Sequence, residues 1–176
     1  NGANMVWLTP VDGVAVNPLL RSDFITLDGH PHYMGTDFTV ERGVDLSTYQ
    51  STVDWAKASQ EIDFAILRIG YRGYTSGGLY EDERARENLL AAKAAGLKVG
   101  AYFFSQALNI KETDQEIQFM LKILGDTRLD MPIVLDWEIP ANTARTRNMD
   151  AVTLTDIQRH FCGQMRDKGY QPMIYF

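Results

Sequence analysis

Two acids, two residues apart, close the apolar run Pro132-Ile133-Val134-Leu135-Asp136-Trp137-Glu138. A strand sends alternate side chains to opposite faces, so Asp136 and Glu138 share one face while Ile133, Leu135 and Trp137 take the other. Neighbouring carboxylates repel, so a pair held together needs a cation or a task that uses a raised pKa. The chemistry that fits is proton transfer, with one acid donating while another stays charged. An isolated Asp-x-Glu usually caps a loop or meets an arginine at the surface. The apolar run leading into this pair argues against a solvated face.

Other residues join the pair by the same alternation. In Gly43-Val44-Asp45-Leu46-Ser47, Val44 and Leu46 are expected to face helices, leaving Asp45 inward beside the other two acids. Arg68, in Ile66-Leu67-Arg68-Ile69-Gly70, is a charge inside an apolar strand and is expected to be an ion-pair partner of these acids. Aromatic residues crowd the same strand ends: Tyr71, Tyr74, Tyr102-Phe103-Phe104 and Tyr175-Phe176. Flat rings beside paired carboxylates suit stacking on sugar faces, which makes Tyr71, Tyr102 and Tyr175 the candidate substrate contacts.

Strands and helices must hold these groups in place. Five β-rich runs are expected at Val44–Ser47, Phe64–Tyr71, Lys98–Ser105, Pro132–Glu138 and Pro172–Phe176. A helix over Glu81–Ala95 stops at Gly96, and one over Lys111–Leu124 stops at Gly125. A third starts at Thr153 with Asp156 in its first turn, carries the stripe Ile157, Phe161 and Met165, and ends at Gly169. A short helix near Trp55 and Ala58 separates the first two strands. Strand–helix–strand repetition means parallel strands with helical crossovers, in either a barrel or a doubly wound sheet. Residues 1–41 show no helical period; Phe24-Ile25-Thr26-Leu27 followed by Asp28-Gly29 reads as a hairpin in an N-terminal extension. The expected division is an extension over 1–41 and a main domain over 42–176.

Composition narrows the function classes. At 45% hydrophobic and 23% charged, the 176-residue chain has the balance of a packed domain, and its apolar runs are far too short to insert in a membrane. A net charge of −6 without any basic run longer than two residues leaves no footprint for nucleic acid. The single cysteine, Cys162, excludes an intrachain disulfide and a cysteine-based zinc site, and His30-Pro31-His32 lacks the third ligand that zinc needs. No glycine-rich phosphate loop follows any strand and no Gly-x-Ser-x-Gly elbow is present, so no metal or cofactor is expected. Asn1 is not an initiator, and no signal peptide follows it, so the chain is expected to be processed or cut from something longer.

Several motifs in order carry a resemblance: Gly43-Val44-Asp45-Leu46-Ser47 with Gln50 and Asp54-Trp55, Arg68-Ile69-Gly70-Tyr71, Ala94-Ala95-Gly96-Leu97-Lys98-Val99-Gly100-Ala101-Tyr102-Phe103-Phe104, and Asp136-Trp137-Glu138. From Gly43 to Phe176 the chain resembles glycoside hydrolase family 25, the N-acetylmuramidase lysozymes. The resemblance implies an α/β fold of the TIM-barrel-like (β/α) type. It implies retaining hydrolysis of the β-1,4 bond between N-acetylmuramic acid and N-acetylglucosamine in peptidoglycan, by a secreted enzyme. It assigns Glu138 as general acid/base, with Asp136 and Asp45 as supporting carboxylates. Whether an aspartate or the substrate's acetamido group attacks the anomeric carbon stays open. Neighbouring acids are expected to raise the Glu138 pKa. An eight-stranded barrel commonly takes about 250 residues, and only five parallel strands are visible. The expectation is therefore a barrel lacking its C-terminal strands, with an unpaired edge prone to self-association. The competing expectation is a fragment that binds peptidoglycan without cleaving it.

Overall fold

Asp28 and Gly29 both take positive φ, 51° and 80°, the backbone of a two-residue hairpin turn. They join β1 (Phe24–Leu27) to β2 (His30–Tyr33), antiparallel, with Leu27 opposite His30 and Phe24 opposite Tyr33. A computed structural model of the chain describes Gly13 and residues 18–175, and divides into two units, Asn1–Val40 and Glu41–Phe176. The hairpin belongs to the first.

In the second unit, β3 (Gly43–Leu46) leads through the short helix α1 (Trp55–Ala58) to β4 (Phe64–Arg72). Then come β5 (Leu79–Glu81), α2 (Ala85–Ala94), β6 (Lys98–Ser105), α3 (Ile110–Leu124), β7 (Ile133–Trp137), α4 (Ala151–Asp167) and β8 (Pro172–Tyr175). The strand order is β3-β4-β6-β7-β8, all parallel, with β5 antiparallel on β4. This is a (β/α) sheet of the barrel type that does not close into a ring among the described residues. Phe176 lies outside them.

The core lies between the sheet and its helices. Ala65, Leu67, Ile69, Val99, Ala101, Phe103, Ile133 and Leu135 point to that side and are essentially inaccessible, packed with Leu89, Ile117, Met120, Ile157, Phe161 and Met165. Each large side chain buried this way contributes about 1.5–3 kcal/mol. The stripe expected on the last helix faces inward as its spacing requires.

Three local features differ from the sequence expectation. Leu79–Glu81 extends along β4, so α2 begins at Ala85 rather than Glu81, after a turn in which the Arg84 amide donates to Asp82 Oδ1 at 3.0 Å. Helix α4 begins at Ala151, two residues before Thr153, because Asp150 caps it by accepting from the Thr153 amide at 2.9 Å. The third is a β-bulge in β4: Arg68 pairs with Tyr102 and Gly70 with Phe103, leaving Ile69 without a counterpart on β6. Ile69 and Gly70 therefore both lie on the helix side, Tyr71 follows on the inner side, and Arg72 returns to the helix side. A Cβ on Gly70 would sit 2.7 Å from the Tyr80 carbonyl, so glycine is what lets β5 approach the bulge.

Candidate active site

The inner face of the sheet carries the polar groups. Gly43 and Asp45 of β3, Phe64 and Ile66 of β4, Tyr102 of β6, Val134 and Asp136 of β7, Glu138 just beyond β7, and Met173 and Tyr175 of β8 line one open cavity of about 470 Å³. The structure thus brings together Asp45, Asp136, Glu138, Tyr102 and Tyr175. Tyr71 stands apart: it is absent from the cavity lining and stacks on Tyr80 with ring centroids 5.2 Å apart.

Asp136 is the most enclosed of the three acids, 9% exposed, whereas Asp45 and Glu138 are open to solvent. Its Oδ1 is buried and meets no donor. Burial, then the neighbouring Glu138 and, less strongly, Asp45 push the Asp136 carboxyl up to about 7, against the lowering pull of Arg68. Asp136 therefore keeps its proton into the neutral range. Tyr102 is raised as well: burial pushes its phenol up to about 12, so it stays protonated.

Arg68 pairs elsewhere than expected. Its Nε donates to Asp82 Oδ2 at 2.8 Å, not to Asp45, Asp136 or Glu138, although it remains near enough to act on Asp136 through space. Asp82 is almost fully buried and also accepts from the Thr48 amide at 3.0 Å, tying the loop after β3 to the same point. The guanidinium lies 5.0 Å from the Tyr49 ring centroid and 5.4 Å from that of Tyr71, an aromatic clamp that orients it. Sequence reading missed Asp82 because β5, the short strand that delivers it, has no periodicity to betray it.

A second polar cluster lies behind the strands. Arg72 Nε donates to Glu116 Oε1 at 2.7 Å, Ser105 Oγ donates to Glu116 Oε2 at 2.6 Å, and Gln106 Nε2 donates to the Glu138 carbonyl at 2.7 Å. Apart from Glu138, none of these residues was singled out from sequence. Polar residues at the ends of strands ordinarily signal only the approach of a loop.

Parallel strands ending in acids and phenols at one mouth define a carbohydrate-hydrolase type of site. The chain belongs to the Glycosyl hydrolases family 25: that family's model matches residues 44–176. Among solved structures, the chain is similar to the modular autolysin LytC from Streptococcus pneumoniae, solved in complex with a synthetic peptidoglycan ligand: TM-score 0.69, 20% identity, 86% of this chain and 37% of that one. It is also similar to a family 25 glycosyl hydrolase from Bacillus anthracis, with TM-score 0.57, 21% identity, 80% of this chain and 62% of that one. A muramidase from Trichobolus zukalii gives TM-score 0.61, 24% identity, 78% of this chain and 65% of that one. At these identities the likeness is one of fold, and the chain spans between about a third and two thirds of those proteins. No curated protein matches the chain.

Proposed function

We propose that this chain is a muramidase, cleaving the β-1,4 bond from N-acetylmuramic acid to N-acetylglucosamine in peptidoglycan with retention of configuration, outside the cytoplasmic membrane. The observation that supports it most is the convergence of Asp45, Asp136 and Glu138 in one cavity, where burial and Glu138 raise the Asp136 carboxyl to about 7. Glu138, open to solvent at the mouth, donates a proton to the leaving glycosidic oxygen. Asp136 and Asp45 stabilise the positive charge growing at the anomeric carbon. Water supplies the hydroxyl that ends on the muramic acid, and its other proton returns to Glu138. Tyr102 and Tyr175 contact the sugars, and Tyr71 flanks the cleft through Arg68.

Mass spectrometry of borohydride-reduced peptidoglycan digests tests this reading. A muramidase leaves reduced N-acetylmuramic acid at the new ends, and Glu138→Gln leaves none. Reduced N-acetylglucosamine ends, or digestion that survives Glu138→Gln, would sink it. The second reading is binding to the wall without cleavage. Sedimentation of the chain with purified walls that release no sugar would support that reading. The outer edge of β8 is the surface we expect to self-associate, and a single monomer mass across protein concentrations in analytical ultracentrifugation would count against it.

A further inference from the structure

β6 ends at Ser105 and β7 at Trp137, so Glu138 lies one residue beyond the last rung of the parallel ladder. Its backbone carbonyl nonetheless has a donor, supplied by a side chain. Gln106, fully buried, gives Nε2 to that carbonyl at 2.7 Å, and to the Ser105 carbonyl at 3.0 Å. Its Oε1 accepts from Thr146 Oγ1 at 2.8 Å, and Thr146 is itself fully buried in the loop that follows Glu138. The amide is thereby fixed at both ends, and it fixes Glu138 on one side and the following loop on the other.

Behind Gln106 the fixing continues. Its backbone amide points to Glu116 Oε1 at 3.4 Å, and Glu116 is also held by Ser105 Oγ at 2.6 Å and by Arg72 Nε at 2.7 Å. Arg72 in turn donates to the Gly77 and Glu112 carbonyls, each at 2.8 Å. Burying so many polar groups gives little net stability, because apolar residues of the same volume commonly serve as well or better. What an apolar core cannot do is hold one carbonyl in one place.

We propose that Gln106 is the positioning residue of Glu138: it replaces the missing ladder rung and holds the acid's backbone against the Asp136 side of the cleft, anchored by Thr146, Ser105 and Glu116. The proposal rests on Glu138 being the proton donor, as argued above. In Gln106→Leu, which keeps the volume, the Glu138 carbonyl loses its donor and the acid drifts. The expected loss is about 100-fold in kcat, the scale that an ångström of misplacement carries, with KM unchanged. Gln106→Glu is the sharper variant. Its carboxylate still accepts from Thr146 but cannot donate to the carbonyl, whereas its protonated form can. Its activity relative to the parent should therefore recover as pH falls, which Gln106→Leu should not do.

The experiment measures kcat and KM on soluble peptidoglycan fragments for the parent and both variants. It adds far-ultraviolet circular dichroism and carboxyl-carbon NMR titration of Asp136. In Gln106→Leu the Asp136 midpoint should fall below about 7 while staying above the ordinary carboxylate range, because Glu138 no longer sits beside it but burial, the larger cause, remains. That readout needs no turnover. If the parent cleaves nothing while the titration moves, the muramidase reading fails and the positioning role stands. If Gln106→Leu folds and keeps the parent's kcat and the parent's titration, the positioning role is overturned. A loss of kcat that merely tracks a loss of folded protein, with the titration unmoved, overturns it as well.

Discussion

Two polar clusters lie back to back across the same sheet and are built on opposite terms. On the helix side, Arg72, Ser105, Gln106, Glu116 and Thr146 are sealed from water and bonded to one another at 2.6–3.4 Å. On the inner side, Asp136 is nearly as deeply buried, yet its Oδ1 has no donor, and the nearby Arg68 guanidinium is committed to Asp82. Burial alone therefore does not distinguish a working group from a structural one. The difference lies in whether the hydrogen-bond inventory is closed: a closed set fixes geometry, and an open one leaves a carboxyl free to exchange a proton.

That contrast breaks if the two clusters respond alike to mutation. Glu138→Gln should lower turnover of peptidoglycan fragments by about 10²–10⁴-fold, the range of general acid catalysis, while leaving the urea midpoint unmoved because Glu138 is solvent-exposed. A large stability loss there would make the inner cluster structural too. Arg72→Met should do the reverse first, costing about 3–5 kcal/mol in urea unfolding by leaving Glu116 buried without its cation. Adding Glu116→Leu should restore most of that loss. If the double variant is no better than the single, the pair is not what links these residues.

Asp136 sharpens the comparison through pH. Its folded pKa, about 7, stands above the ordinary value of 3.8, so the native state holds the proton more tightly than the unfolded chain. Its contribution favours folding below about pH 4 and is progressively lost as pH rises through about 7. Asp136→Asn removes that dependence. The variant should match the parent's melting temperature in acid and exceed it at pH 8, while losing activity; thermal scans from pH 4 to 8 decide, and a parent that gains on the variant at high pH contradicts the raised pKa. Parent turnover should likewise change through about pH 7 as Asp136 loses its proton and its negative charge appears beside Glu138. The smallest effect is expected from Tyr175→Phe, which removes one hydroxyl at the open flank. KM should rise roughly fivefold, about 1 kcal/mol, with kcat held.

Much of the inner face was legible because alternation along a strand is a rigid rule. Val134, Asp136 and Glu138 fall on one side and Ile133 and Leu135 on the other, as the run from Pro132 requires. Asp45, Tyr102 and Tyr175 follow by the same count. The rule fails past Arg68, where one unpaired residue reverses the phase and carries Arg72 into the core with nothing in Ile69-Gly70 to announce it. It is silent on Asp82, which reaches Arg68 from a three-residue antiparallel strand, and on Gln106, whose role depends on where a different strand ends. Periodicity reports what repeats; these residues act at places where the repeat stops.

The unpaired residue in β4 also gives the chain an unusual kind of mutability. Removing Ile69 as a single codon would restore strict alternation and leave Tyr71 on the inner side and Arg72 on the helix side, because Arg68 and Gly70 already pair with successive residues of β6. A one-residue deletion there would thus be absorbed by the bulge, whereas a deletion elsewhere in the strand would have no extra residue to absorb it. Upstream of that point, substitutions in β4 alter the floor of the cleft. Downstream, the same type of substitution alters its opposite surface. The strand behaves as two reading frames joined at residue 69, and drift in one leaves the other's message intact.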